Sequence, residues 1–202
     1  MTDARTDILA RIDAALAGRP PAPPVPRAYQ RRRDLGDLVE LAAERIADYQ
    51  ATVHLVPAGE LVTRIGQELS GRRNIVAPAG LPAEWLVPEV SWLVDEPPLP
   101  VPELDRADGV LTGCALVIAE TGTIVLDAGP DQGRRALTLL PDYHLCVVRA
   151  DQIVGTVPEA IGRLDPVRPI TFISGPSATS DIEFNRVEGV HGPRTLVVLI
   201  AV

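Results

Sequence analysis

Residues Pro169 to Val202 read PITFISGPSATSDIEFNRVEGVHGPRTLVVLIAV. Two apolar runs rich in β-branched residues, Ile170 to Ile173 and Thr195 to Val202, bracket a stretch crowded with Ser, Thr, Asp and Glu. Runs of that length and composition, stopped by Gly175-Pro176 on one side and Gly192-Pro193 on the other, predict two buried strands. Polar, glycine-bearing density after a core strand predicts a binding loop between them. Gly175 lets the backbone turn sharply. Ser177 and Thr179 add hydroxyls beside backbone N–H groups, an arrangement suited to a carboxylate or phosphate. Ser180 with Glu183 also has capping-box spacing, which satisfies the same amides without a ligand. The second turn, Gly189 to Pro193, would bring His191 back beside the first loop, as a structural or a site residue.

Upstream, the same alternation continues. Strands are expected at Thr52 to Val56, Asn74 to Ala77, Ser91 to Val94 and Tyr143 to Val148. Helices are expected at Asp34 to Gln50, Gly59 to Leu69 and Asp151 to Leu164, the last with Asp151 as its N-cap. Strands interleaved with helices predict an α/β domain, residues 31–202, with a mostly parallel sheet sandwiched by helices. Glu96 to Leu104, EPPLPVPEL, is a proline-rich connector. Gly109 to Ala119 and Ile124 to Leu126 suggest two antiparallel strands with Thr121 and Gly122 at the bend, although Asp108 to Cys114 equally suits a separate short element.

Before this domain, residues 1–30 form an appendage. Thr6 to Ala17 places Ile8, Leu9, Ile12 and Leu16 on one side of a helix, and RPPAPPVPRAYQ after it excludes helix interior and central strand. Such a helix on an extended arm must cover an apolar surface, on its own domain or on a neighbouring subunit of a homo-oligomer. Arg31, Arg32 and Arg33 suit a solvated domain start or an anion site.

Composition removes many function classes. The chain has 202 residues, 46% of them hydrophobic and 23% charged, which is long and apolar enough for a sizeable core. A formal net charge of -8 and 3% aromatic content leave no basic, aromatic-studded face for nucleic acid. All 19 Lys and Arg residues are arginine. Walker-A loops, pyridoxal-phosphate Schiff bases and lysine nucleophiles are therefore excluded. Two cysteines, Cys114 and Cys146, both in apolar runs, are too few to hold an iron–sulfur cluster and suit a reducing cytoplasm. His54, His144 and His191 lie far apart in sequence with no zinc-type spacing, so no metal and no cofactor is assigned. G-x-G-x-x-G and G-x-S-x-G are both missing. No apolar run approaches membrane-spanning length, and the N-terminus lacks a signal-peptide pattern.

Within the domain, Glu120 follows an apolar run at the mouth of a turn, where a carboxylate can face a pocket or simply pair with turn amides. Arg134 and Arg135 flank a glycine-bearing loop. They could clamp an acidic substrate or pair with Asp127 and Asp131. The candidate site is then Glu120, Thr121, Thr123, Ser177, Thr179, Asp181, Glu183 and His191, with Arg134 as the clamp.

Four stretches also carry a family resemblance: GPSATSDIE from Gly175, EGVHGPRTL from Glu188, AETGT from Ala119, and RRALTLLPDYHLCVVRADQIV from Arg134. In their order along the chain, from Ala119 to Leu196, they resemble the LUD domain family, strongly from Asp108 to Val202 and loosely before it. The resemblance implies a fold similar to the ribose-phosphate isomerase, glucosamine-phosphate deaminase and CoA transferase group. It also implies an accessory or substrate-handling role in oxidising L-lactate to pyruvate beside iron–sulfur partner proteins. The alternative is a stand-alone enzyme acting on a small organic acid, sugar phosphate or acyl-CoA. By analogy with the CoA transferases, Glu120 would then be the nucleophile, with Asp181 as a second catalytic carboxylate. The transferases' glycine-rich loop has no counterpart in this chain.

If the first helix is exchanged between subunits, deleting Met1 to Arg27 will lower the number of subunits measured by light scattering in solution. An unchanged number would exclude exchange.

Overall fold

Strands β7, Tyr143–Arg149, and β12, Thr195–Ala201, run side by side at the centre of the domain, paired in parallel over seven residues from Thr195↔Tyr143 to Ala201↔Arg149. In this computed structural model, which describes residues 3–18, 23–179, 187–188 and 192–202, the chain divides into two compact units, Met1–Gln30 and Arg31–Val202. The first unit holds helix α1, Ala4–Leu16. Asp3 caps it by accepting from the Arg5 amide, and Ile8, Leu9, Ile12 and Leu16 are all exposed.

In the second unit, β7 and β12 belong to a six-stranded, wholly parallel sheet. Its other strands are β1 (Thr52–Val56), β2 (Asn74–Ala77), β3 (Ser91–Val94) and β4 (Gly109–Thr112), and the order is β1-β12-β7-β4-β2-β3. Because side chains alternate along a strand, β7 and β12 feed two different cores. Leu145, Val147, Val197 and Leu199 pack with Leu61 and Ile65 of α3, Leu61–Glu68. Cys146, Val148, Val198 and Ile200 pack instead with Ala42 and Ile46 of α2, Leu38–Asp48.

That second face is shared with a smaller sheet, so helices do not cover it alone. Strands β5 (Leu116–Ile118) and β6 (Thr123–Leu126) form the antiparallel pair expected from sequence, and Val117 and Ile124 join the core beneath. Gly122 supplies the turn at φ +59°, where an added Cβ would lie 2.5 Å from the Arg45 carbonyl carbon. Only glycine fits both the left-handed conformation and the close approach of α2. Asp108 to Cys114 resolves as the separate element: β4 sits in the large sheet, while β5 begins the small one.

Three boundaries differ from expectation. Asp151 to Leu164 is not one helix. A 3₁₀ turn, Ala150–Gln152, leads into β8, Ile153–Val154, which adds in parallel to β5; α5 then covers only Val157–Arg163. The N-cap is Thr156, whose amide donates to Glu159 Oε2 at 2.9 Å, and Pro158 is confined to the first turn, where its missing N–H costs nothing. The run at Ile170 to Ile173 is not a buried strand of the large sheet. It forms β9, Thr171–Ile173, on the edge of the small sheet beside β6, with Phe172 51% exposed. The proline-rich connector also carries a short helix, α4, Val101–Arg106.

Candidate functional site

The two turns that bracket the carboxyl-terminal loop come together. Ser177 N donates to Pro193 O at 2.8 Å, and β10 (Ala178–Thr179) pairs antiparallel with β11 (Val187–Glu188). Gly175, at φ +88°, packs so closely on Tyr49 that an added Cβ would lie 2.6 Å from the Tyr49 carbonyl oxygen. This bend directs Ser174 and Ser177 into a cavity of about 220 Å³ shared with Arg135, Thr138, His144 and Leu196.

The cavity lies at the amino ends of β7 and β12, beneath β9. His144 and Leu196 are register partners at those ends, on the same face as Cys146 and Val198. Period two thus points the imidazole into the space between the two sheets. His144 is 1% exposed and shares a hydrogen bond of 2.7 Å between Nε2 and Thr112 Oγ1. Burial first, and the Arg135 cation second, push its pKa from 6.5 down to about 4. The ring is therefore neutral at pH 7, able to donate from one nitrogen and accept at the other.

Arg135 supplies the positive charge. It opens the 3₁₀ turn Arg135–Thr138, and its Nη1 donates to Thr138 Oγ1 at 3.1 Å. Burial lowers its pKa, yet a guanidinium remains charged at any physiological pH. On the far wall, Ser174 Oγ lies 2.9 Å from Thr123 Oγ1, which lies 2.8 Å from Thr121 Oγ1. Three hydroxyls thus run from the β5–β6 turn to the cavity wall, so Thr121 and Thr123 reach it through Ser174.

The remaining expected residues are placed differently. Arg134 is committed elsewhere: its Nε and Nη2 donate to the Asp95 carboxylate at 2.8 and 2.9 Å, and Nη2 also donates to Leu99 O at 2.6 Å. Burial would raise the Asp95 pKa, but bonds from Arg134 and the Leu99 amide hold it below the usual carboxylate range. The guanidinium that reaches the cavity is that of the neighbouring Arg135. Glu120 does not line the cavity. One carboxylate oxygen accepts from Val157 N at 3.0 Å at the start of α5, and the other pairs with Arg33. Arg33 and Arg32, which pairs with Glu159 at 3.1 Å, tie the beginning of the domain to that helix. For Thr179 the structure gives the backbone pairing with Val187. Asp181, Glu183 and His191 lie outside the described residues.

Sequence reasoning missed His144 and Thr138 as site residues, and of the two arginines it considered as a clamp it chose Arg134 over Arg135. A usable signal existed for the first: a histidine at the start of the apolar run YHLCVV, in phase with Cys146 and Val148. Among the described residues, no group of three or more His, Cys, Asp or Glu is placed to hold a metal ion. No helix among them is long and apolar enough to cross a membrane.

Comparison with known proteins places this geometry in a family. The LUD domain signature matches residues 102–201. A protein named lactate utilization protein C, from Deinococcus radiodurans, is 50% identical over 206 residues, covering 98% of this chain and 95% of that protein. The chain belongs to the LUD domain family. The likeness extends through the amino-terminal half, beyond the motifs legible in the sequence. A lactate utilization protein C from Shouchella clausii is 28% identical over 176 residues, 78% of this chain and 76% of that protein. The crystal structure of a DUF162 family protein from Deinococcus radiodurans, at 1.70 Å resolution, superposes with a TM-score of 0.72 at 46% identity, covering 89% of this chain and all of that one.

The buried imidazole makes a prediction about acid stability. Unfolded, His144 takes up a proton below about pH 6.5; folded, it does so only near 4. Stability is fully retained above the unfolded value and falls as pH drops from 6.5 towards 4, a gap worth roughly 3 kcal/mol. Urea unfolding at stepped pH will show this loss in the native chain, while His144→Gln will lack that component. Superimposable profiles would contradict the assignment.

Proposed function

We propose that this LUD-domain protein serves lactate utilization as a substrate-handling component, with the amino-edge cavity receiving a small 2-hydroxy or 2-oxo carboxylate. The observation that carries this reading is one guanidinium, Arg135, set among the hydroxyls of Thr138, Ser174 and Ser177 around a cavity of about 220 Å³. The cavity lies below the roughly 300–1,000 Å³ of drug-sized sites, a size that suits a small acid. The names of the relatives from D. radiodurans and S. clausii supply the pathway.

In this reading the Arg135 guanidinium takes the carboxylate by charge-assisted hydrogen bonds. Ser174 or Ser177 meets the 2-oxygen, and His144, being neutral, donates or accepts without adding a second charge. Iron–sulfur centres would belong to partner proteins, since this chain carries only two cysteines and both are buried. The alternative, a CoA transferase-like enzyme acting through Glu120, would need that carboxylate to face the cavity. Its bonds to Val157 N and Arg33 at the start of α5 favour the first reading.

Isothermal titration of the full chain with L-lactate and with pyruvate tests this. At least one acid will bind, and Arg135→Gln will weaken that binding at least about tenfold, the scale of a hydrogen bond to a charged group. A second variant, Ser177→Ala, will weaken it less. Failure of both acids to bind, or unchanged affinity in Arg135→Gln, would overturn the proposal.

A further inference from the structure

β7 carries polar groups at both ends, His144 near its amino end and Arg149 at its carboxyl end. Arg149 lies three residues beyond Cys146, which is the register partner of Thr112 at the carboxyl end of β4. In open parallel sheets the crevice outside the carboxyl ends of the strands is where ligands ordinarily sit. A cleft of about 470 Å³ opens there, lined by Arg149, Arg163, Arg168, Asp127, Gln132 and Gln152. In a chain of net charge -8, three arginines from three segments converge on it: the end of β7, the last turn of α5, and the turn after α5.

Its floor is rigid. Gln152, 8% exposed, accepts from Arg149 N at 2.8 Å and donates from Nε2 to Cys114 O at 2.6 Å, stitching the ends of the two strands together. Gln132, only 4% exposed, accepts from Asp127 N at 2.6 Å through Oε1. Its Nε2 makes a single long bond of 3.4 Å, to Asp131 Oδ1. Donor capacity is thus left in a buried amide that lines the cleft. The acids present are already engaged. Asp127 pairs with Arg168 at 3.1 Å, and Asp151 pairs with Arg149 at 3.3 Å between two largely exposed side chains, a contact worth little and readily exchanged. Arg163 has no ion pair among the described residues.

We propose that this carboxyl-edge cleft is a second binding site, for a small phosphomonoester whose dianionic head is held by Arg149 and Arg163 and receives a hydrogen bond from Gln132 Nε2. A tetrahedral dianion takes planar guanidinium forks from two directions at once, whereas a monocarboxylate is satisfied by one. Arg168 stays with Asp127 and keeps that carboxylate neutralised beside the ligand. The cleft volume leaves room for an organic portion. His144 and Arg149 are five residues apart on one extended strand, so the two sites lie about 17 Å apart. The second site stands independently of whatever occupies the first.

Calorimetric titration of the full chain with glycerol phosphate, inorganic phosphate and malonate, at low and at high salt, decides the matter. Glycerol phosphate will bind most tightly and more weakly at high salt. Arg149→Gln and Arg163→Gln will each reduce its affinity about tenfold, while Arg135→Gln will leave it unchanged and L-lactate will not compete. Both cleft arginines are exposed, so unaltered melting temperatures will confirm that the variants remain folded. No binding of glycerol phosphate, unaltered affinity in the Arg149→Gln/Arg163→Gln double variant, loss of binding in Arg135→Gln, or malonate or inorganic phosphate binding as tightly would each overturn the proposal.

Discussion

The parallel pairing of β7 with β12 is the constraint on which the rest depends. Tyr143 to Val148 and Leu196 to Ile200 are all buried, and alternate side chains enter two separate cores. One face takes α3; the other takes α2 and the small sheet. With both faces committed to aliphatic packing, polar chemistry has no place along the strands and is displaced to their ends. The amino end gathers His144, Arg135 and the seryl hydroxyls of the loop that follows β9. The carboxyl end gathers arginines.

The small sheet gives this arrangement its depth. By turning out of the large sheet after β4, the chain lays β5 and β6 over α2 and over the second face, and β9 joins their edge. The loop from Ser174 to Ser177 is thereby held above the amino ends of β7 and β12. Gly122 and Gly175 allow it: each closes against the α2 region at a distance where a side chain would collide with backbone. The two glycines fix the separation between small sheet and helix, and so the roof of the cavity.

Much of this was legible because it is periodic. HLCVV and TLVVLIA, short β-branched apolar runs, read as buried strands, and AETGT between two apolar runs suggested a bend. Asp151 to Leu164 misled because Ile153-Val154 fits a helical face as well as a two-residue strand; Pro158, confined to a first turn, was the clue that the helix starts later. Arg134 misled for a different reason. Local acids, Asp127 and Asp131, were visible, but its partner Asp95 lies 39 residues away in sequence and is brought close only by the sheet order. Phe172 and its neighbours gave no sign of which sheet they would join, and with them went the knowledge of which end of the strands the loop would cover. The arginines of the carboxyl edge went unread as a group because they are scattered over twenty residues.

Native-state amide hydrogen exchange tests the central claim most directly. If β7 and β12 are the spine, the amides of Leu145 to Val148 and Val197 to Ile200 will exchange only through global unfolding, with the free energy obtained from denaturant titration. Those of β9 and of the edge strands β1 and β3 will open at lower cost. Exchange of the two central strands through cheaper local openings, or protection highest in the small sheet, would contradict the account.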